Sequence, residues 1–181
     1  MPRKPDPTLE KSIVEATVRL LERGGNNAIT MRAVAKAAKT TTPTLYERFS
    51  DRDALLDAVT DLLRNRLIDS LDPEDSLEEA GRKFLAFCRR NPHVIELLLK
   101  RIAVNLKSKQ KGPVYELVRS NLIKQNGFSD KEAEEMTMAT SSLMAGTAML
   151  VNMLGPDTPA AKDLERGTLN VMRRWEGLGA K

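Results

Sequence analysis

Nine residues, Thr40 to Arg48, read TTTPTLYER and hold four threonines, a tyrosine and an arginine. Hydroxyls both donate and accept hydrogen bonds, and a guanidinium donates from a rigid fork. Side chains of this kind hold phosphate oxygens and the edges of bases without making or breaking a bond. The chemistry they suggest is recognition.

Catalysis has no comparable footing. The single histidine, His93, follows Pro92, and the single cysteine, Cys88, stands five residues before it. Neither falls in the spacing of a nucleophile and its base or of a metal site. Glu132, Glu134 and Glu135 share a polar stretch with Lys131 and read as solvated surface. No glycine-rich phosphate loop occurs. The expectation is a protein that is not an enzyme and needs no metal or cofactor.

The recognition residues need a frame, and the flanking pattern supplies one. Thr30 is placed to cap a helix whose apolar Met31, Val34, Ala35 and Ala38 recur at three-and-four spacing. The pattern breaks at Lys39-Thr40. Thr41 then caps a second helix, and Pro43 in its first turn needs no intrahelical donor. Leu45 and Phe49 share one face of it, while Thr42, Thr44, Tyr46, Glu47 and Arg48 point the other way. Arg32, Lys36, Lys39 and Arg48 against Glu47 leave residues 30–49 at +3, more than half of the whole chain's +4. Two short helices around a tight break with a cationic face read as a DNA-binding helix-turn-helix.

Thr30, Ala35 and Ala38, then Thr44-Leu45-Tyr46 followed by Phe49, Arg52 and Leu55, resemble the signature of the tetracycline-repressor (TetR) family. Agreement at about eight spaced positions over the first third of the chain makes the resemblance specific. It implies an all-α protein of about nine helices. An N-terminal three-helix helix-turn-helix domain would be followed by a helical ligand-binding and dimerisation domain. The implied function is sequence-specific transcriptional regulation, as a ligand-responsive repressor that binds a pseudo-palindromic operator as a homodimer. Two positions depart from the pattern. Lys39 stands where glycine is usual, which costs strain on the order of 1 kcal/mol if the backbone there has positive φ. Arg48 replaces a common histidine and keeps the capacity to donate to phosphate.

In this reading Thr30, Thr44, Arg48 and Arg52 hold phosphates, with Arg32 and Lys39 adding to the cationic face. Thr41, Thr42 and Tyr46 lie nearest the bases. Arg3 and Lys4 are read either as an arm that reaches the minor groove or phosphates or as a solvated tail. The run Lys107, Lys109 and Lys111 is read as a solvated loop.

Composition agrees with a helical protein of one or two small domains and a buried core, 181 residues long. One cysteine excludes an intrachain disulfide framework. Met1-Pro2-Arg3-Lys4-Pro5 has no apolar stretch behind it, which suggests no signal peptide. The longest apolar run, Leu143 to Leu154, falls short of the roughly 20 residues that span a bilayer. A cytoplasmic protein with no membrane partner is expected.

Prolines and glycines divide the rest into helices. The first follows Pro7, buries Leu9, Ile13, Ala16 and Leu20, and ends at Gly24-Gly25. Ser50 with Asp53 resembles a capping box for a long helix carrying Leu55, Leu56, Val59, Leu62, Leu63 and Leu67. Residues 1–52 are then the DNA-binding domain, 53–71 a linking helix, and 72–181 the second domain. Further helices are expected near 76–90, 92–107, 113–126, 130–154 and 160–177, the fourth opened by a box of Ser129 and Glu132.

The last two helices are expected to form the dimer interface. From Ser141 to Leu154 the sequence is apolar nearly all round, and Leu164, Thr168, Val171, Trp175 and Leu178 repeat at the seam spacing of packed helices. Ala145, Met149, Met153, Leu164, Val171 and Trp175 are the contacts assigned, in a four-helix bundle across a two-fold axis. The family resemblance implies an unknown small-molecule effector in this domain. Phe84, Phe87, Cys88, Leu98, Ile102, Leu122, Met136 and Met144 are the candidate lining, suited to an apolar or weakly polar ligand. A competing reading from another class is a helical protein-interaction module that keeps the helix-turn-helix shape without reading DNA. Binding to duplex that falls with salt separates the two.

Overall fold

The computed structural model describes residues 7–108 and 110–179. Arg3, Lys4 and Lys109 lie outside them. Among the described residues every regular element is helical. The order is α1 (Pro7–Gly24), a 3-10 turn (Asn26–Ala28), α2 (Met31–Ala37), α3 (Thr42–Tyr46) and α4 (Arg52–Ser70), then α5 (Leu77–Arg90), α6 (Val94–Ser108), α7 (Pro113–Asn126), α8 (Asp130–Leu154) and α9 (Pro159–Glu176). The all-helical class is as expected. The chain divides into two compact units, Met1–Asn65 and Arg66–Lys181, and the division falls inside α4. No helix among the described residues is long and apolar enough to cross a membrane.

In the first unit α1 packs on the 3-10 turn and on α2, and α2 packs on α3. The inward stripe of α1 is Ile13, Val14, Thr17, Val18 and Leu21, with Ala16 also buried. Leu9 and Leu20, expected in that stripe, are only half-buried. The apolar residues of α1 outnumber one face, and Val14 and Val18 take the inner places at three-and-four spacing. Thr17 tolerates full burial because its hydroxyl donates to the Ile13 carbonyl at 2.8 Å. Val34, Leu45, Leu55, Val59 and Leu63 have no exposed surface.

The start of α4 corrects the expected cap. Asp51, not Ser50, is the capping residue: its Oδ1 accepts from the Ala54 amide at 2.8 Å, and its Oδ2 accepts from the Ser50 hydroxyl at 3.2 Å. The helix begins at Arg52, so the amide that needs an acceptor is Ala54's, three residues after Asp51. These hydrogen bonds, the Ala54 amide first, hold the Asp51 carboxyl below its ordinary range.

In the second unit α9 packs against α5 and α8, and α8 also packs against α6 and α7. Ser76 caps α5, Thr158 caps α9, and Ser129 with Glu132 forms the capping box of α8. Gly81 on α5 is buried where a Cβ would come within 2.7 Å of Met172 Cε, so the absence of a side chain lets α5 and α9 close on each other. Ion pairs flank that contact. Glu78 accepts from Arg173 at 2.6 and 2.8 Å and from Arg82 at 2.7 Å. Arg89 and Glu165 pair through both arms at 2.8 and 2.5 Å. Between α8 and α9 the hydroxyls of Thr147 and Thr168 meet at 2.9 Å in a buried position. Thr168, placed in the seam by its spacing, is an internal packing residue.

Candidate nucleic-acid interface

The reading segment begins with a cap and a stop. The Thr30 hydroxyl accepts from the Ala33 amide at 3.1 Å and starts α2. At the other end the Lys39 amide donates to the Lys36 carbonyl at 3.2 Å, and the Thr40 amide donates to the Ala35 carbonyl at 2.9 Å. That pair of bonds is the Schellman stop, which needs a left-handed residue at its centre. Lys39 supplies it at φ 54, the one non-glycine residue with positive φ among those described. The strain anticipated for a lysine at this position is therefore present.

A second threonine starts the short helix. Thr41 accepts from the Thr44 amide at 3.3 Å, and the Thr41 and Thr44 hydroxyls lie 2.9 Å apart. Both hydroxyls are thus engaged locally. Leu45 is wholly buried and Phe49 nearly so, which anchors one side of α3. On the other side Tyr46 is 50% exposed and Thr42 is half-buried. Arg48, two residues after Tyr46 and just past α3, is half-buried, and its sheltered Nε has no hydrogen-bond partner in the structure. Arg32, Lys36 and Lys39 lie exposed on the same reading segment.

Arg52 does something other than expected. Its Nε donates to the Ile29 carbonyl at 2.8 Å, and its Nη2 donates to the Asn26 carbonyl at 2.8 Å and to Asn26 Oδ1 at 2.6 Å. The phosphate role expected of Arg52 did not foresee these bonds: the donors on Nε and Nη2 point into the unit. Sequence reading missed Asn26 and Ile29 as its partners because the pairs are 26 and 23 residues apart.

The second unit shows an apolar outer face on α8. Met138, Met149, Leu150, Met153 and Leu154 are all exposed, Met153 to 75%, and Gly146 lies among them with open space where a side chain would be. Of the assigned dimer contacts, Met149, Met153 and Val171 are exposed, while Leu164 and Trp175 are half-buried. Ala145 is buried in its own chain with Met144, Ala148 and Val151, and its assignment to the interface is corrected. One step along a helix turns a side chain by about 100°, so Gly146 takes the outer place.

The residues of the expected effector lining differ in burial. Phe87, Cys88, Leu98 and Met144 are buried, Phe84 and Met136 half-buried, and Ile102 is 37% exposed. Burial pushes the Cys88 thiol up to about 12, so it is inert packing. Leu122 lines a cavity of about 10 Å³ with Leu77 and Asn121, room for about one water molecule. Beside α7 an open depression of about 620 Å³ has Ile68, Leu117 and Ile123 beside Arg119 and Lys124.

Residues 13–59 match the family model described as bacterial regulatory proteins, tetR family. The chain is 28% identical to tetracycline repressor protein class D of Escherichia coli, over 92% of this chain and 81% of that protein. A tetR-family transcriptional regulator from Streptomyces coelicolor superposes with a TM-score of 0.73 at 15% identity, covering 97% of this chain and 83% of that one. A TetR variant from Acinetobacter baumannii AYE, solved in complex with minocycline, gives a TM-score of 0.71 at 21% identity, covering 98% and 100%. At these identities the two structures speak for the fold. The relatives are regulators of transcription rather than enzymes.

Proposed function

We propose that the chain, whose residues 13–59 match the tetR family of bacterial regulatory proteins, is a ligand-responsive repressor of that family whose homodimer binds a pseudo-palindromic operator. The observation that carries the reading is the outer side of α3. Tyr46 stands half-exposed there, and Arg32, Lys36 and Lys39 lie exposed on the same segment. Arg48, Arg32 and Lys39 hold phosphates and set register. Thr42 and Tyr46 lie nearest the bases, since the Thr41 and Thr44 hydroxyls already serve each other and the helix start.

The apolar outer face of α8 supports self-association. Soluble monomers rarely leave a run of large apolar side chains uncovered, and a second copy covers it about a two-fold axis. Two reading segments then meet half-sites roughly 34 Å apart, about one turn of duplex. The effector is an apolar or weakly polar small molecule held by the second unit. The minocycline held by the Acinetobacter protein supports a response to a small molecule. Release of DNA follows if the effector binds the DNA-free arrangement more tightly than the bound one.

Selection of bound sequences from a random duplex pool tests the reading as a whole. Enriched palindromes, with affinity that falls steeply as salt rises, are the expected result. A pool without an enriched palindrome overturns it.

A further inference from the structure

We propose that Arg52 is a positioning residue for operator binding, a brace that ties together the two flanks of the reading segment, and not a phosphate contact. The inference rests on the DNA-binding reading above. α3 has five residues, too few to hold a helix by its own hydrogen bonds. Its orientation is therefore set by its flanks. On one side Ile29 leads directly into the cap Thr30, and on the other Arg52 opens α4 just after Phe49.

One guanidinium joins these two places. Nε reaches the Ile29 carbonyl at 2.8 Å, and Nη2 reaches both oxygens of Asn26 at 2.8 and 2.6 Å. A planar fork meets acceptors in two directions at once, which the point charge of a lysine does not. The 3-10 turn that it grips opens at Gly25 with no side-chain cap of its own. Beside the packing of α1 and the backbone hydrogen bonds from the Ala28 and Ile29 amides, the Arg52 fork is the side-chain tie that joins this turn to the start of α4. The donors on Nε and Nη2 are committed to two backbone carbonyls and an amide oxygen, which fixes the guanidinium against the unit, and through it the residue's contribution to affinity passes to the geometry of α2 and α3.

The test uses the full chain and an operator recovered by selection. Affinity is measured across a salt series for the wild type, Arg52→Ala, Arg52→Lys, Asn26→Ala and the double variant Arg52→Ala with Asn26→Ala. Each is held at a temperature where circular dichroism shows it folded. Arg52→Ala is expected to bind about tenfold more weakly, the scale of a lost charged hydrogen bond, with an unchanged slope of log affinity against log salt. Asn26→Ala should weaken binding in the same way, and the double variant should bind no worse than Arg52→Ala alone. Arg52→Lys should not restore wild-type affinity. If Arg52→Ala does not fold, Arg52→Lys and Asn26→Ala carry the same comparison.

A slope shallower by about 0.9 overturns the proposal, because it marks one lost phosphate contact. Independent, additive losses from the two sites overturn it too, as does full affinity in a folded Arg52→Ala. A wild-type chain that binds no duplex overturns both this proposal and the regulator reading. Binding by the wild type with a changed slope in the variant removes the brace alone.

Discussion

The reading head and the α8 face of the second unit turn opposite chemistries outward. Around α3 the exposed side chains are hydroxylated, aromatic and cationic, and the backbone accepts a left-handed lysine, Lys39 at φ 54. Along α8 they are methionine and leucine, and the left-handed residue that ends the preceding helix is Gly127 at φ 71, where no strain arises. The contrast teaches where each unit spends its stability. The second unit keeps relaxed turns and two-armed ion pairs. The head tolerates a strained turn beside its reading helix, a place where a cation is useful to DNA and a glycine would offer none.

The largest expected effect comes from charging the apolar face. Met149→Glu with Met153→Glu should convert dimer to monomer in sedimentation while far-ultraviolet circular dichroism stays the same. Operator affinity should fall by about a hundredfold or more, because the second half-site is no longer bound from the same particle. A persisting dimer would remove this face from the interface.

Next in size is the head's own contact. Arg48→Ala should weaken binding to every sequence and make the salt slope shallower by about 0.9. Thr42→Ala should leave the slope alone and change base preference, by about 1 kcal/mol or more at one position. If the two variants exchange signatures, the division between phosphate and base contacts around α3 is wrong.

The two turns give a smaller and opposite pair. Lys39→Gly should raise stability in urea unfolding by about 0.5–1 kcal/mol, as relief of the left-handed backbone outweighs the freer unfolded chain. Gly127→Lys should lower it by a similar amount. Equal responses at the two sites would mean that Lys39 is not strained.

The smallest effect is a pH dependence in the second unit. The hydrogen bond from Arg173, then its charge and that of Arg82, holds the Glu78 carboxyl below the ordinary glutamate range. A carboxylate lowered in the folded state contributes stability above its unfolded value, about 4.3, and that contribution fades as pH falls through the folded value. Glu78→Gln should therefore cost stability at neutral pH and flatten the acid limb below about pH 4.3. An unchanged acid limb would show that the pair is fully screened by solvent.

Much of this architecture could be read in the chain before folding. Thr30, Thr41, Ser129 and Thr158 stand just before the helices that they cap, and Gly127 just after α7. Such signals act over three or four residues, so spacing reveals them. The same local logic slipped at Ser50, where Asp51 is the cap, because two adjacent capping residues differ only in which one the helix starts from.

The helix-turn-helix, its cationic face and the all-helical order were therefore determined by the sequence itself, through periodicity and caps that work between near neighbours. Tertiary structure decided three other things. It turned Arg52 inward to Asn26 and Ile29, put Ala145 in the core with Gly146 outside, and scattered the expected effector lining between core and surface. Each depends on which direction a side chain faces once distant segments meet. A helical pattern states that a face is apolar, but only packing states which neighbour covers it.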